Sequence, residues 1–160
     1  MPELFSAAEL VNIAIREEVT GATFYRALAK KTRSAKLKDF ALQTAAMEDE
    51  HAEKFRKLLS EISDYAPSGE SYAGEYEEYI SYLIGGRIFP MGEEAEALAA
   101  RQESDIQAVE TAAEMEKNTL LLYQELMRFV RDKDHAVLQG IMDEERMHLL
   151  QFTKFKAEGL

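Results

Sequence analysis

Residues 37–62, LKDFALQTAAMEDEHAEKFRKLLSEI, carry the reading that decides the fold. Leu37, Ala41, Thr44, Glu48, His51, Phe55, Leu58 and Ile62 follow one another at alternating spacings of four and three. That is the seam a helix turns toward its neighbours in a bundle. Midway along, the apolar seam is interrupted by Glu48-x-x-His51. At that spacing a carboxylate and an imidazole lie one turn apart on the same face, so both can bind one ion.

The interruption occurs twice. Leu138, Ile141, Glu145, His148, Phe152 and Phe155 form a matching seam, and its Glu145-x-x-His148 uses another of the chain's three histidines. Two further stretches carry a related pattern: Val11, Ala14, Glu18, Gly21, Tyr25, Leu28, and Val109, Ala112, Glu116, Thr119, Tyr123, Leu126, Val130. Each has one glutamate, a small residue one turn later, and a tyrosine seven residues on. Glu18 and Glu116 are 98 residues apart, and Glu48 and Glu145 are 97 apart. The two halves therefore read as a duplicated helical hairpin.

Helix A is expected over 6–31, B over 34–61, C over 104–131 and D over 134–157, in segments rich in Ala, Leu, Glu, Lys and Met. Ser6 before Glu9 and Ser104 before Gln107 are capping-box patterns, with Ser34 and Asp134 as simpler caps. Short turns join A to B and C to D. The connection between B and C, residues 62–103, holds Pro67, Pro90 and five of the eight glycines. A helix of about 26 residues is roughly 39 Å long, and this connection can span that length. It is expected to contain short helices near 73–84 and 93–101. Tyr72, Tyr76, Tyr79 and Leu83 form an apolar stripe on the first, read as packing on the bundle or a second subunit. The fold class is all-α: a ferritin-like four-helix bundle, two antiparallel hairpins joined by a long crossover, in one domain over 1–160.

Four inward carboxylates with no lysine or arginine on their seams must be paired, protonated or metal-bound. Two divalent cations would balance Glu18, Glu48, Glu116 and Glu145, and His51 and His148 would add one neutral nitrogen ligand each. Four glutamates and two histidines in this arrangement are the di-iron or di-manganese carboxylate pattern. Such an oxygen-rich set suits two iron ions, two manganese ions or a mixed pair; zinc would bind without redox chemistry. Tyr25 and Tyr123 are placed to hydrogen-bond a metal-bound carboxylate on another helix. Gly21 and Thr119 leave room beside the ions. Asp49, Glu50, Asp143 and Glu144 fall off the seams and are read as solvated, His135 as a surface residue, and the methionines as packing.

The rest of the composition narrows the field. The chain has 160 residues, no cysteine and a formal net charge of -11. Disulfides, thiolate zinc sites and a rubredoxin-type Fe(Cys)4 centre within these residues are excluded. The negative charge argues against nucleic acid. Residues 1–6 lack the basic and apolar regions of a signal peptide, and no run reaches the length of a membrane span, so a soluble cytoplasmic protein is the expectation.

On Glu18 with Tyr25, Glu48-x-x-His51, Glu116 with Tyr123, and Glu145-x-x-His148, the chain resembles the rubrerythrin family of the ferritin-like superfamily. Glu77-Glu78-Tyr79-Ile80 and Arg87-Ile88-Phe89-Pro90 are similar to relatives consisting of the diiron domain alone. The resemblance implies a diiron oxidoreductase that reduces hydrogen peroxide, or dioxygen, to water. Glu48 and Glu145 would bridge the metals, Glu18 and Glu116 would be terminal, and His51 and His148 would complete one metal each. An external donor such as rubredoxin would return electrons, and the assembly would be a homodimer. This chain departs from the family in lacking a rubredoxin domain and in having Thr119 where rubrerythrins carry an additional glutamate. Two alternatives stand beside that reading: ferroxidase-type iron handling, and a metal-stabilised interaction module without turnover.

Overall fold

The computed structural model describes residues 7–62, 78, 82, 93–128 and 130–158. Among them are five α-helices: α1 (Ala7–Lys31), α2 (Ala35–Ile62), α3 (Glu93–Ala100), α4 (Asp105–Leu126) and α5 (His135–Glu158). A 3-10 turn at Asp132–Asp134 leads into α5.

Side-chain caps set two of the starts. Ser34 Oγ accepts from Leu37 N at 3.2 Å and Ser104 Oγ from Gln107 N at 3.1 Å. Gln107 reaches back to the amide of Glu103, one residue before the cap. Such caps satisfy amides that a helix start leaves without partners. Helix α4 ends at Leu126, five residues short of the sequence expectation. Arg131 adopts an extended backbone (φ -69°, ψ 149°), and its guanidinium Nε donates to Asp134 at 2.8 Å, so the chain turns instead of continuing the helix. Val130 stays in the core although it has left the helix. The first expected crossover helix and its tyrosine stripe lie outside the described residues apart from Glu78 and Tyr82, which are helical.

Two apolar clusters give the topology. One joins Val11 and Ala14 of α1 to Phe55 and Leu58 of α2, Leu122 and Leu126 of α4, and Leu138 and Ile141 of α5. The other joins Phe24 and Leu28 of α1 to Leu37 and Ala41 of α2, Val109 and Ala112 of α4, and Phe152 and Phe155 of α5. The start of α1 thus meets the end of α2, the end of α4 and the start of α5. The helices run up, down, down and up, an order that requires a connection along the whole bundle between α2 and α4. The seam positions between the two clusters are those of the glutamates and histidines.

Helix α3 closes the end of that connection. Ala95 and Ala99 are buried, and Ala99 packs in the second cluster. The Lys31 ammonium, at the end of α1, donates to Ala99 O at 3.4 Å and to the carbonyls of Ala100 and Gln102. These are carbonyls that the end of a helix leaves without intrahelical donors. Gln102 donates to Leu98 O and accepts from Thr111, both at 2.8 Å, which ties the junction to α4. Lys31→Met keeps the aliphatic stem and removes the donors. It should lower stability by about 1–2 kcal/mol in urea denaturation and leave metal binding unchanged. Wild-type stability in that variant would show that the α3 junction holds without Lys31.

Candidate metal centre

Between the apolar clusters, Glu18 of α1, Glu48 and His51 of α2, Glu116 of α4, and Glu145 and His148 of α5 are all buried. No lysine or arginine is buried among the described residues. The six side chains form two sets whose ligand atoms lie within 4.8 Å of one another: Glu18, Glu48, His51 and Glu145, and Glu48, Glu116, Glu145 and His148. Glu48 and Glu145 belong to both sets. Glu18 and His51 belong only to the first, Glu116 and His148 only to the second.

Both imidazoles turn Nδ1 toward the carboxylates. His51 Nδ1 lies 2.9 Å from Glu145 Oε1, 3.3 Å from Glu48 Oε2 and 3.4 Å from Glu18 Oε2. His148 Nδ1 lies 2.9 Å from Glu145 Oε2, 3.7 Å from Glu116 Oε1 and 3.8 Å from Glu48 Oε1. Despite its nearness to His51, Glu145 Oε1 makes no hydrogen bond among the described residues and is fully buried. A buried carboxylate oxygen without a hydrogen bond, shared between two sets of oxygen and nitrogen donors, fits a pair of metal ions.

The tyrosines cross between the halves. Tyr25 of α1 donates its hydroxyl proton to Glu116 Oε1 on α4, and Tyr123 of α4 donates to Glu18 Oε1 on α1. The rings are held the same way: Tyr25 stacks on Phe152 with centroids 6.3 Å apart, and Tyr123 packs on Phe55 at 5.1 Å. Each glutamate that belongs to one set alone therefore has a donor from the opposite half, which orients it in the absence of metal.

Burial raises the carboxyl pKa values. Glu18 rises to about 7, chiefly by burial and opposed by hydrogen bonding to Glu48. Glu116 rises to about 8, by burial and then the charge of Glu145. Glu48 is also raised, by burial and the Glu18 charge. For His148, burial works downward, but hydrogen bonds to Glu116 and Glu145 outweigh it and the pKa reaches about 10. For His51, too, burial works downward and the close carboxylates of Glu145, Glu18 and Glu48 outweigh it. The metal-free core thus retains protons where ions would otherwise supply the positive charge.

A cavity of about 10 Å³, room on the scale of one water molecule, opens beside the cluster. It is lined by Glu17, Glu18, Gly21, Tyr25, Glu48, Met115, Glu116 and Thr119. Gly21 keeps it open: a Cβ there would sit 3.6 Å from Glu48 Cγ and Cδ. Two residues that the seams passed over belong to this region. Glu17 is 6% exposed and lines the cavity. Glu144, read from sequence as solvated, lies with Oε2 2.6 Å from His51 Nε2. Both stand one position before a seam glutamate, on the flank of a buried stripe wider than two positions per heptad. His135 is half-exposed and bonds only locally, to the Val130 carbonyl at 3.2 Å.

A family model described as Rubrerythrin matches residues 9–156. A solved structure described as a ferritin-like diiron-carboxylate protein from Thermotoga maritima is 26% identical, with 98% of this chain and 97% of that chain covered and a TM-score of 0.71. No curated protein sequence matches. The fold is accordingly a ferritin-like all-α bundle.

The pKa shifts give a pH dependence of definite sign. Glu18 and Glu116 have an ordinary value of 4.5 when unfolded and about 7 and 8 when folded. Their contribution to stability is therefore full below about pH 4.5 and lost as pH rises through 7 and 8, because the folded state holds the extra protons. His148 has the same sign over a higher window, from 6.5 toward 10. Metal-free protein should lose thermal stability steadily from pH 5.5 to 8.5, and metal-loaded protein much less. A flat or rising metal-free profile would contradict the burial argument. Tyr25→Phe with Glu116→Leu removes a charge and its donor together. At pH 8 it should stabilise the metal-free protein by about 1–3 kcal/mol in denaturant unfolding while abolishing binding of the second ion.

Proposed function

The chain belongs to the rubrerythrin family, and on that footing we propose that it is a non-haem diiron oxidoreductase that reduces hydrogen peroxide with electrons from an external donor. The observation that carries the reading is the pair of ligand sets sharing Glu48 and Glu145 beside a small cavity lined by Gly21 and Thr119. Glu48 and Glu145 would bridge two iron ions, Glu18 and His51 would complete one position, and Glu116 and His148 the other. The ferrous pair would supply the two electrons that cleave the O–O bond, and with two protons one peroxide gives two waters.

The chain's own residues define the setting for that reaction. The apolar clusters above and below exclude bulk water from the ligands. Tyr25 and Tyr123 hold Glu116 and Glu18 in orientation. Glu17, a cavity-lining carboxyl group outside both ligand sets, would be close enough to supply protons to that reaction. Thr119 presents a neutral side chain to the same cavity. The reading places the electron donor outside these 160 residues, which contain no cysteine for a sulfur-ligated relay.

Anaerobic reconstitution should give two iron ions per chain. Stopped-flow mixing should then show oxidation by peroxide much faster than by dioxygen, with turnover only when a reductant is supplied. Comparable rates with both oxidants, followed by iron release or mineral formation, would favour ferroxidase-type iron handling instead. Gly21→Ala separates stability from access. It should stabilise the metal-free helix by about 0.5–1 kcal/mol in denaturant unfolding, and slow oxidation by filling the cavity. Unchanged oxidation rates would show that the oxidant approaches by another route.

A further inference from the structure

The duplicated hairpins make the six ligands look equivalent, yet the two imidazoles are supported differently. His51 Nε2 lies 2.6 Å from Glu144 Oε2, and the other oxygen of Glu144 lies 3.4 Å from Lys54 Nζ. His148 Nε2 is buried and has no hydrogen-bond partner among the described residues. Its aromatic neighbour among the described residues is Phe40, nearly perpendicular to it with centroids 6.2 Å apart. The offset of 97 that relates Glu48 to Glu145 explains the difference. It places Met47 where the other half has Glu144, and Gln151 where the other half has Lys54. Met47 and Glu144 are both half-buried, so the same place on the bundle holds a thioether in one half and a carboxylate in the other.

The difference bears on metal binding. An imidazole that ligates through Nδ1 must carry its proton on Nε2. At His51 that proton has a carboxylate acceptor, which fixes the tautomer and ring angle and enriches Nδ1 in electron density. At His148 the same tautomer buries an N–H without an acceptor among the described residues. The alternative tautomer can instead donate from Nδ1 to Glu145 Oε2, 2.9 Å away, and is unable to ligate.

Resting on the reading that the cluster binds two ions, we propose that Glu144 is a positioning residue that makes the two metal positions unequal. The set of Glu18, Glu48, His51 and Glu145 fills first and holds its ion tightly. The set containing Glu116 and His148 fills second and exchanges its ion more readily. Orienting partners of this kind change metal affinity about 10–100-fold, and that is the gap expected between the two steps.

The test is an anaerobic titration of the metal-free full chain with Co(II), followed by calorimetry and by the d–d absorbance of the bound ion. Wild type should bind two ions in two resolved steps, and His51→Ala should remove the tighter one. Glu144→Ala should weaken the tighter step 10–100-fold and leave the other in place. Glu144→Gln, whose amide oxygen still accepts from Nε2–H, should fall between. Met47→Glu should tighten the weaker step toward the stronger. Helical content of each metal-free variant, by circular dichroism, identifies any loss due to misfolding, and Glu144→Gln, the more conservative change, then decides. Two indistinguishable wild-type steps, or equal weakening of both steps by Glu144→Ala, would overturn the proposal while leaving the dinuclear reading intact. Binding of no more than one ion by wild type would overturn both.

Discussion

Four carboxylates clustered between the apolar layers, with no lysine or arginine buried among the described residues, are the constraint on which the rest depends. Removing charge from water costs several kcal/mol per ion even after relaxation, and the bundle repeats that burial on four helices. The cluster therefore has two ways to exist. Without metal it retains protons, as the raised pKa values of Glu18, Glu48, Glu116, His51 and His148 express. With metal, divalent ions would replace the protons and the same oxygens would serve as ligands. The capacity to hold metal and the pH dependence follow from one arrangement of charge.

The bundle tolerates this belt because the apolar work is done elsewhere. The two clusters of Phe, Leu, Val, Ile and Ala side chains lie on either side of it and supply the burial that holds the helices together. Duplication divides the polar work evenly. Each half contributes a hairpin with one Glu-x-x-His, and each half's tyrosine steadies a glutamate of the other. The halves are thus joined through the site as well as through the core. Where the symmetry fails, at Glu144 and Met47, the two halves of the site become chemically distinct.

Much of this was legible in the sequence because seams are local signals. Alternating spacings of three and four identified the inward face of each long helix, and Glu48, His51, Glu145 and His148 stood on it between apolar neighbours. Helix ends were harder to read: nothing in residues 127–131 announces that the helix stops at Leu126 or that Arg131 takes an extended backbone. Glu144 was misread for a different reason. A strict seam counts two positions per heptad, but a helix in a four-helix bundle buries a wider stripe. The flank position before Glu145 reaches across to His51 on α2, a pairing 93 residues away in sequence. Glu17 was passed over for the same reason, since its burial depends on neighbours that a single-helix pattern does not contain.

The proposed function stands or falls with these six side chains holding two metal ions, Glu48 and Glu145 being common to both donor sets. Anomalous diffraction at the iron edge, from crystals grown and loaded with Fe(II) without oxygen, tests it most directly. Two peaks are expected inside the bundle, each beside the Nδ1 atom of one histidine, with the Glu48 and Glu145 carboxylates between them. A single peak, or iron confined to exposed carboxylates with the buried cluster unchanged, would contradict it.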